Sequence, residues 1–141
     1  MVKEIFINLA VKDLEKSKRF FHHLGFTFNK QFTDQNAACL ILGKDMYVML
    51  LLEKFFKSFT PALDLVDTTK AVEVINAFSV ASRKEVDDMI KKVTEAGGRE
   101  YRQVSDYGWM YSRSFHDVDG HIWEVLHADE SKLPKEMMDK K

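Results

Sequence analysis

Glu124 is the first group in this chain that could do chemistry. It sits in the run Gly120-His121-Ile122-Trp123-Glu124-Val125. Taking a carboxylate out of water is costly unless a cation, a metal or hydrogen-bond donors compensate it. Desolvation would also lift its pKa toward the range of a general base. The histidines offer less. His22 and His23 are adjacent and diverge on a helix, and no pair has the spacing of a helical metal site. In a strand successive side chains alternate faces. His121, Trp123, Val125 and His127 therefore share one face, which suits packing under a helix, while Ile122, Glu124 and Leu126 share the other. Trp109, Tyr111, Arg113 and Phe115 alternate along the preceding strand. They form either an aromatic wall with a cation, suited to a flat or anionic small molecule, or ordinary packing with a surface arginine. Asn8 shares a face with Phe6 and can orient a ligand or bond a neighbouring backbone group. Cys39, the single cysteine, lies in an apolar strand as a small core residue. It leaves no internal disulfide and no thiolate cluster. No glycine-rich phosphate loop and no serine nucleophile elbow is present.

These groups need a scaffold, and the pattern supplies one twice. A strand over 3–11 precedes a helix capped by Asp13, with an apolar stripe through Leu14, Ser17, Phe21 and Leu24 and a stop at Gly25. Strands follow at Phe26–Phe28, Ala37–Leu42 and Met46–Leu52, the last two joined by the turn Gly43-Lys44-Asp45. The connection 54–70 carries Phe55, Phe56, Phe59 and Pro61. A link this long implies a short helix or a task of its own, as a lid, a dimer contact or core packing. The order then recurs: a strand over Val72–Val80, a capping box Ser82/Glu85, a helical stripe Val86-Met89-Ile90-Val93, a stop at Gly97-Gly98, and strands over Arg99–Ser105, Trp109–His116 and His121–Ala128. The turn Asp117-Val118-Asp119-Gly120 opens the last strand. The reading is an α+β fold of two βαβββ modules, at 3–53 and 71–128, forming a curved mixed sheet around a cavity within a single domain 1–141. The charged tail 129–141 is a loose or partner-packed end.

Bulk composition sets the class. The chain has 141 residues, 45% hydrophobic and 30% charged, with a formal net charge of −1. That length supports one domain with a real core. The charge balance points away from nucleic acid and anionic membranes. The apolar run Met46–Leu52 is too short to span a bilayer, and Met1-Val2-Lys3-Glu4 opens no signal peptide. The cytoplasm is the expected location.

The duplicated unit, Val11-Lys12-Asp13-Leu14 before the first helix, and Asp117-Val118-Asp119-Gly120 before a final strand with Glu124 resemble the vicinal oxygen chelate superfamily. That group includes lactoylglutathione lyase, extradiol dioxygenases, and bleomycin and fosfomycin resistance proteins. The run from Tyr107-Gly108-Trp109-Met110-Tyr111 through Arg113-Ser114-Phe115 to Glu124 resembles its bacterial glyoxalase-like branch. The resemblance implies metal ligands on four strands, at the positions of Phe6, Leu50, Ile75 and Glu124. Only Glu124 is a coordinating residue, since a phenyl ring and aliphatic chains offer no donor. No metal cofactor is therefore expected.

The function expected is metal-independent binding of a small molecule, of the glyoxalase/bleomycin-resistance type. The cavity would be lined by Phe6, Asn8, Leu50, Ile75, Trp109, Tyr111, Arg113 and Glu124, and the superfamily's habit implies a homodimer. A lyase or isomerase of the lactoylglutathione kind, with Glu124 as base, is the alternative. A ligand-free protein-interaction module, contacting through its phenylalanine-rich connection, is the third.

Overall fold

A computed structural model describes residues 1–139. The fold is α+β with a duplicated βαβββ order, and its strands form two mixed sheets. The chain divides into two compact units. One holds Met1–Ala71 with Val118–Gly120, and the other holds Val72–Asp117 with the chain from His121 onward.

In the first unit, β1 (Ile5–Val11) leads to α1 (Leu14–His23), then β2 (Thr27–Asn29), β3 (Ala37–Gly43), β4 (Met46–Leu52) and α2 (Glu53–Ser58). The sheet order is β1-β4-β3-β2, with β1 and β4 parallel. Asp13 caps α1 by accepting the Lys16 N–H at 3.0 Å. Gly25, at φ +103°, closes it in a conformation that side-chain-bearing residues avoid. Leu14, Phe20 and Phe21 are buried on α1, and Leu9, Val11, Ala38, Leu40, Val48 and Leu50 are buried beneath it. Each such side chain contributes about 1.5–3 kcal/mol. Three residues of the late turn complete this unit. Asp119 accepts the Lys12 N–H at 2.9 Å and the Ser17 hydroxyl at 3.0 Å, and its carbonyl accepts the Thr68 hydroxyl at 2.5 Å. Gly120 stands at φ +89°, where an added Cβ would lie 2.8 Å from the Thr68 carbonyl oxygen. Only glycine fits there.

In the second unit, β5 (Ile75–Ser79) leads to α3 (Arg83–Glu95), then β6 (Arg99–Glu100), β7 (Ser105–Asp106), β8 (Met110–His116) and β9 (Ile122–Ala128), followed by α4 (Lys135–Met138). The order is β5-β9-β8-β6, and β7 also pairs with β8. Ser82 accepts the Glu85 N–H at 3.1 Å, one half of the expected capping box. Val86, Ile90 and Val93 bury one stripe of α3, and Phe115, Trp123 and Val125 are buried in the strands it packs against. Trp123 and Phe115 lie parallel with centroids 6.3 Å apart. The indole N–H donates to Asp117 at 3.0 Å, and Asp117 also accepts the His121 N–H at 3.1 Å.

Two expected elements are corrected. The strand expected over Val72–Val80 is ordered only at Ile75–Ser79. The strand expected over Arg99–Ser105 is two two-residue pieces with an irregular bridge at 101–104. The connection after β4 begins with a short helix, α2, one of the expected alternatives, and the tail includes α4, up to the last described residue, Asp139.

Candidate functional site

Register decides which side chains meet Glu124. Across β8 and β9, Ser114 stands opposite Glu124 and Ser112 opposite Leu126, and on the other side Ala77 of β5 faces Glu124. This face of the sheet lies opposite α3. Ile75 at its β5 edge is 58% exposed. The bridge 101–104 lies along the edge of β8, anchored by the Tyr101 N–H donating to the Ser114 carbonyl at 2.9 Å. Arg102 comes down from that bridge. Its Nη2 donates to Glu124 Oε2 at 2.8 Å and lies 3.5 Å from Ser112 Oγ, while Nη1 donates to the Gln103 carbonyl at 3.2 Å. The Glu124 side chain is 19% exposed and that of Arg102 is 38% exposed. Ser114, 1% exposed, has a buried hydroxyl without a hydrogen-bond partner among the described residues.

The expected aromatic wall is on the opposite face. Arg113 pairs in register with Val125, Phe115 with Trp123 and Tyr111 with His127, all on the side that α3 covers. Phe115 is core. Arg113 donates to both Glu100 oxygens at 2.7 and 2.8 Å and to Asp87 of α3 at 2.8 Å. The Tyr111 hydroxyl donates to the same Asp87 oxygen at 2.6 Å. Arg83 lies over the Tyr111 ring, 4.8 Å from its centre, and grips Asp106 through two bonds of 2.8 Å. The Tyr111 hydroxyl and Arg113 hold Asp87 below the ordinary carboxylate range. Arg83 and the Gly108 N–H hold Asp106 at about 2. Bonding to Glu100 raises Arg113 above its ordinary value. Tyr111 and Arg113 thus tie the helix to the sheet edge and do not accompany Glu124. Trp109 lies apart as well, beside Ser82, Arg83, Gly108 and His127 in a shallow depression.

In the first unit, Phe6 and Asn8 share the face away from α1. Phe6 stacks on Tyr47 with centroids 5.0 Å apart. Leu50 does not join them. It pairs with Leu9 and is fully buried under α1, whereas Met49 stands beside Asn8. The one-residue parity of a strand places Leu50 on the wrong face. A pocket of about 350 Å³ opens on the Asn8 face, lined by Asn8, Leu51, Phe56, Phe59 and Thr60. The Thr60 hydroxyl is buried there without a hydrogen-bond partner among the described residues.

Residues 3–43 match the family described as Bleomycin resistance protein-like N-terminal. The solved hypothetical protein SA1046 from S. aureus is 32% identical, over 91% of this chain and 95% of that one, with a TM-score of 0.77. The chain has the fold of the glyoxalase/bleomycin resistance/dioxygenase proteins of the vicinal oxygen chelate superfamily. A glyoxalase/bleomycin resistance protein/dioxygenase family enzyme from Burkholderia phytofirmans PsJN has the same fold, at 13% identity over 87% of this chain and 96% of that one, with a TM-score of 0.75. So does the fosfomycin resistance protein FosX from Mesorhizobium loti, at 16% identity over 94% and 98% with a TM-score of 0.66. No curated protein matches the chain.

The shared fold raises the question of a divalent metal. The implied positions are Phe6, Ile75, Glu124 and, once register is known, Met49 in place of Leu50. A thioether suits soft ions and not the hard or borderline ions bound by carboxylate and imidazole. Glu124 is the only oxygen donor, and one of its oxygens is bonded to a guanidinium. Among the described residues no group of three or more His, Cys, Asp or Glu is placed to hold a metal ion. The donor set does not fit the group.

Sequence reasoning missed Arg102, Ser114 and Thr60. Ser114 was within reach. The turn at Asp117–Gly120 pairs His116 with Ile122, and counting back from it puts Ser114, not Arg113, opposite Glu124. Arg102 carried no signal, because a regular strand over Arg99–Ser105 would not bring it across the sheet.

Proposed function

We propose that this chain is a small-molecule-binding protein of the glyoxalase/bleomycin-resistance type that works without a metal. One observation carries the reading: Glu124, the one superfamily position that keeps a donor, is spent on Arg102 at 2.8 Å. A carboxylate oxygen that accepts from a guanidinium has that lone pair occupied, and the permanent positive charge beside it repels a metal cation. The pocket at Asn8, Phe56, Phe59 and Thr60 supports the same reading. Its size of about 350 Å³ falls in the range of small-molecule sites, and its aromatic lining with one amide and one spare hydroxyl suits a largely apolar ligand.

The test is a melt of chelator-treated protein against a small-molecule library, repeated with nickel, zinc, manganese and iron. The expected result is stoichiometric binding that raises the melting temperature equally with and without chelator, and that weakens about tenfold or more in Asn8→Leu. An ion that stabilises the protein at micromolar concentration, or turnover that appears on adding one, would overturn the reading in favour of a lyase.

A further inference from the structure

The connection after β4 is anchored at both ends and only lightly held between them. At one end the Leu52 N–H donates to the Asn36 carbonyl at 2.9 Å. At the other the Thr68 hydroxyl donates to the Asp119 carbonyl at 2.5 Å. Between these anchors α2 packs on β1 and β4, and Phe56, Phe59 and Thr60 close the pocket over Asn8 and Leu51. Among the described residues, no side-chain hydrogen bond or ion pair joins 53–66 to the rest of the chain. The Ser58 hydroxyl donates to the Phe55 carbonyl, and Lys57 lies 3.9 Å from Asp64. No side chain of α2 is fully buried and none caps its start, and Phe59 is 64% exposed. So short a helix is marginal by itself. The turn that follows carries strain. The Leu63 N–H donates to the Thr60 carbonyl at 3.2 Å around Pro61 and Ala62. Ala62 stands at φ +67°, at a turn position where glycine is the ordinary residue, and a Cβ there is unfavourable.

Resting on the reading of the Asn8 pocket above, we propose that α2 with Phe59 and Thr60 is a lid, hinged after Leu52 and at Pro61–Ala62. It lifts off the first sheet to admit an apolar ligand and settles back over it. Lifting breaks no side-chain hydrogen bond to the sheet. It exposes Phe56, but it lets the Thr60 hydroxyl bond water and lets Ala62 return to a negative φ. An apolar ligand tips the balance the other way, because it adds buried surface against Phe56 and Phe59 only when the lid is down. Strain at the hinge sets how often the lid opens. Ala62, which does not line the pocket, therefore governs the rates of uptake and release.

The first arm of the test needs no ligand. Cys39 is the single cysteine, so Thr60→Cys in a Cys39→Ala background places the only thiol at the buried hydroxyl position. Its modification by dithionitrobenzoate is expected to be about tenfold or more slower than that of Ser58→Cys, at an exposed position of α2, and insensitive to urea below the unfolding transition, as local opening is. Ala62→Gly relieves the turn and should slow the modification about threefold or more. Amide exchange at Phe59 and Thr60 in the chain with Ala62→Gly alone should slow by the same factor. The second arm adds N-phenyl-1-naphthylamine, an uncharged apolar fluorophore. It should protect the thiol, and its observed binding rate should level off at the opening rate, a plateau that Ala62→Gly lowers. The proposal is overturned if the thiol reacts as fast as that of Ser58→Cys, if its reaction rises steeply with the first addition of urea, if Ala62→Gly changes neither reaction nor exchange, or if the binding rate stays linear in probe concentration. Failure of the pocket reading looks different: the probe neither binds nor protects while the Ala62-dependent opening persists, and the lid then has nothing to admit.

Discussion

The two units build the same βαβββ frame and hold it by different means. In the first, α1 is fixed by apolar bulk. Phe20 and Phe21 are buried over Leu40, Val48 and Leu50, and Lys18 pairs with Glu15 on the helix's outer surface. In the second, α3 buries the smaller Val86, Ile90 and Val93, and it is also held to the sheet by the pair of Arg83 with Asp106 and the network of Asp87, Arg113, Tyr111 and Glu100. The open faces differ in the same sense. That of the first unit shows Phe6, Tyr47 and Met49 around one amide, whereas that of the second shows serines and an ion pair. One backbone plan therefore tolerates an apolar or an ionic solution at each of its two faces, because backbone hydrogen bonding fixes the sheet and side chains only have to fill or satisfy what lies between sheet and helix.

The sharpest way to break this contrast is Phe20→Ala. It should cost about 3–5 kcal/mol by opening a cavity under α1, read as the shift of the urea midpoint. A cost below about 1 kcal/mol would mean that bulk is not what fixes the helix. Arg113→Met should cost less, about 2 kcal/mol. The guanidinium side chain is 21% exposed, between the exposed pairs that contribute almost nothing and the buried ones whose rupture is severe. A stabilising result would show that the apolar solution also serves the second unit.

Acid sharpens the comparison without a mutation. Asp87 and Asp106 are both depressed in the folded chain, Asp106 to about 2. Stability from such groups is complete above the unfolded value of about 3.9 and is lost as pH falls through the folded one. Midpoints should therefore decline from about pH 4 toward pH 2, and Arg83→Met should flatten that limb. A limb unchanged by Arg83→Met would break the ionic account of the second unit. The smallest expected effect is Phe6→Ser on the open face of the first unit. Phe6 is 46% exposed, and its loss should move the midpoint by less than about 0.5 kcal/mol while lowering nonspecific association.

Much of the frame was legible in the chain. Asp13, Ser82, Gly25 and Gly97 act through local geometry, so their roles as caps and stops follow from residue type and spacing alone. The face assignments were harder. Phe6 and Asn8 lie on one side as alternation requires, but whether Leu50 or Met49 joins them depends on pairing between β1 and β4 across about forty residues, which no local pattern fixes. Arg113 failed for a related reason. Alternation put it with Tyr111 and Phe115 correctly, and only the pairing with β9 shows that this trio turns toward α3. Arg102 depends on an irregular bridge whose path is set by tertiary contacts.

The short turn Val118–Gly120, which belongs to the first unit though it lies at the far end of the chain, has a consequence for synthesis. The cap on Lys12 and Ser17 cannot form until Asp119 has left the ribosome. At about 5–20 residues per second, the roughly fifty residues after Ala71 delay that moment by several seconds. During that interval the amino-terminal half exists as an unfinished intermediate, so its maturation is timed by the elongation of the other half and not by its own folding rate.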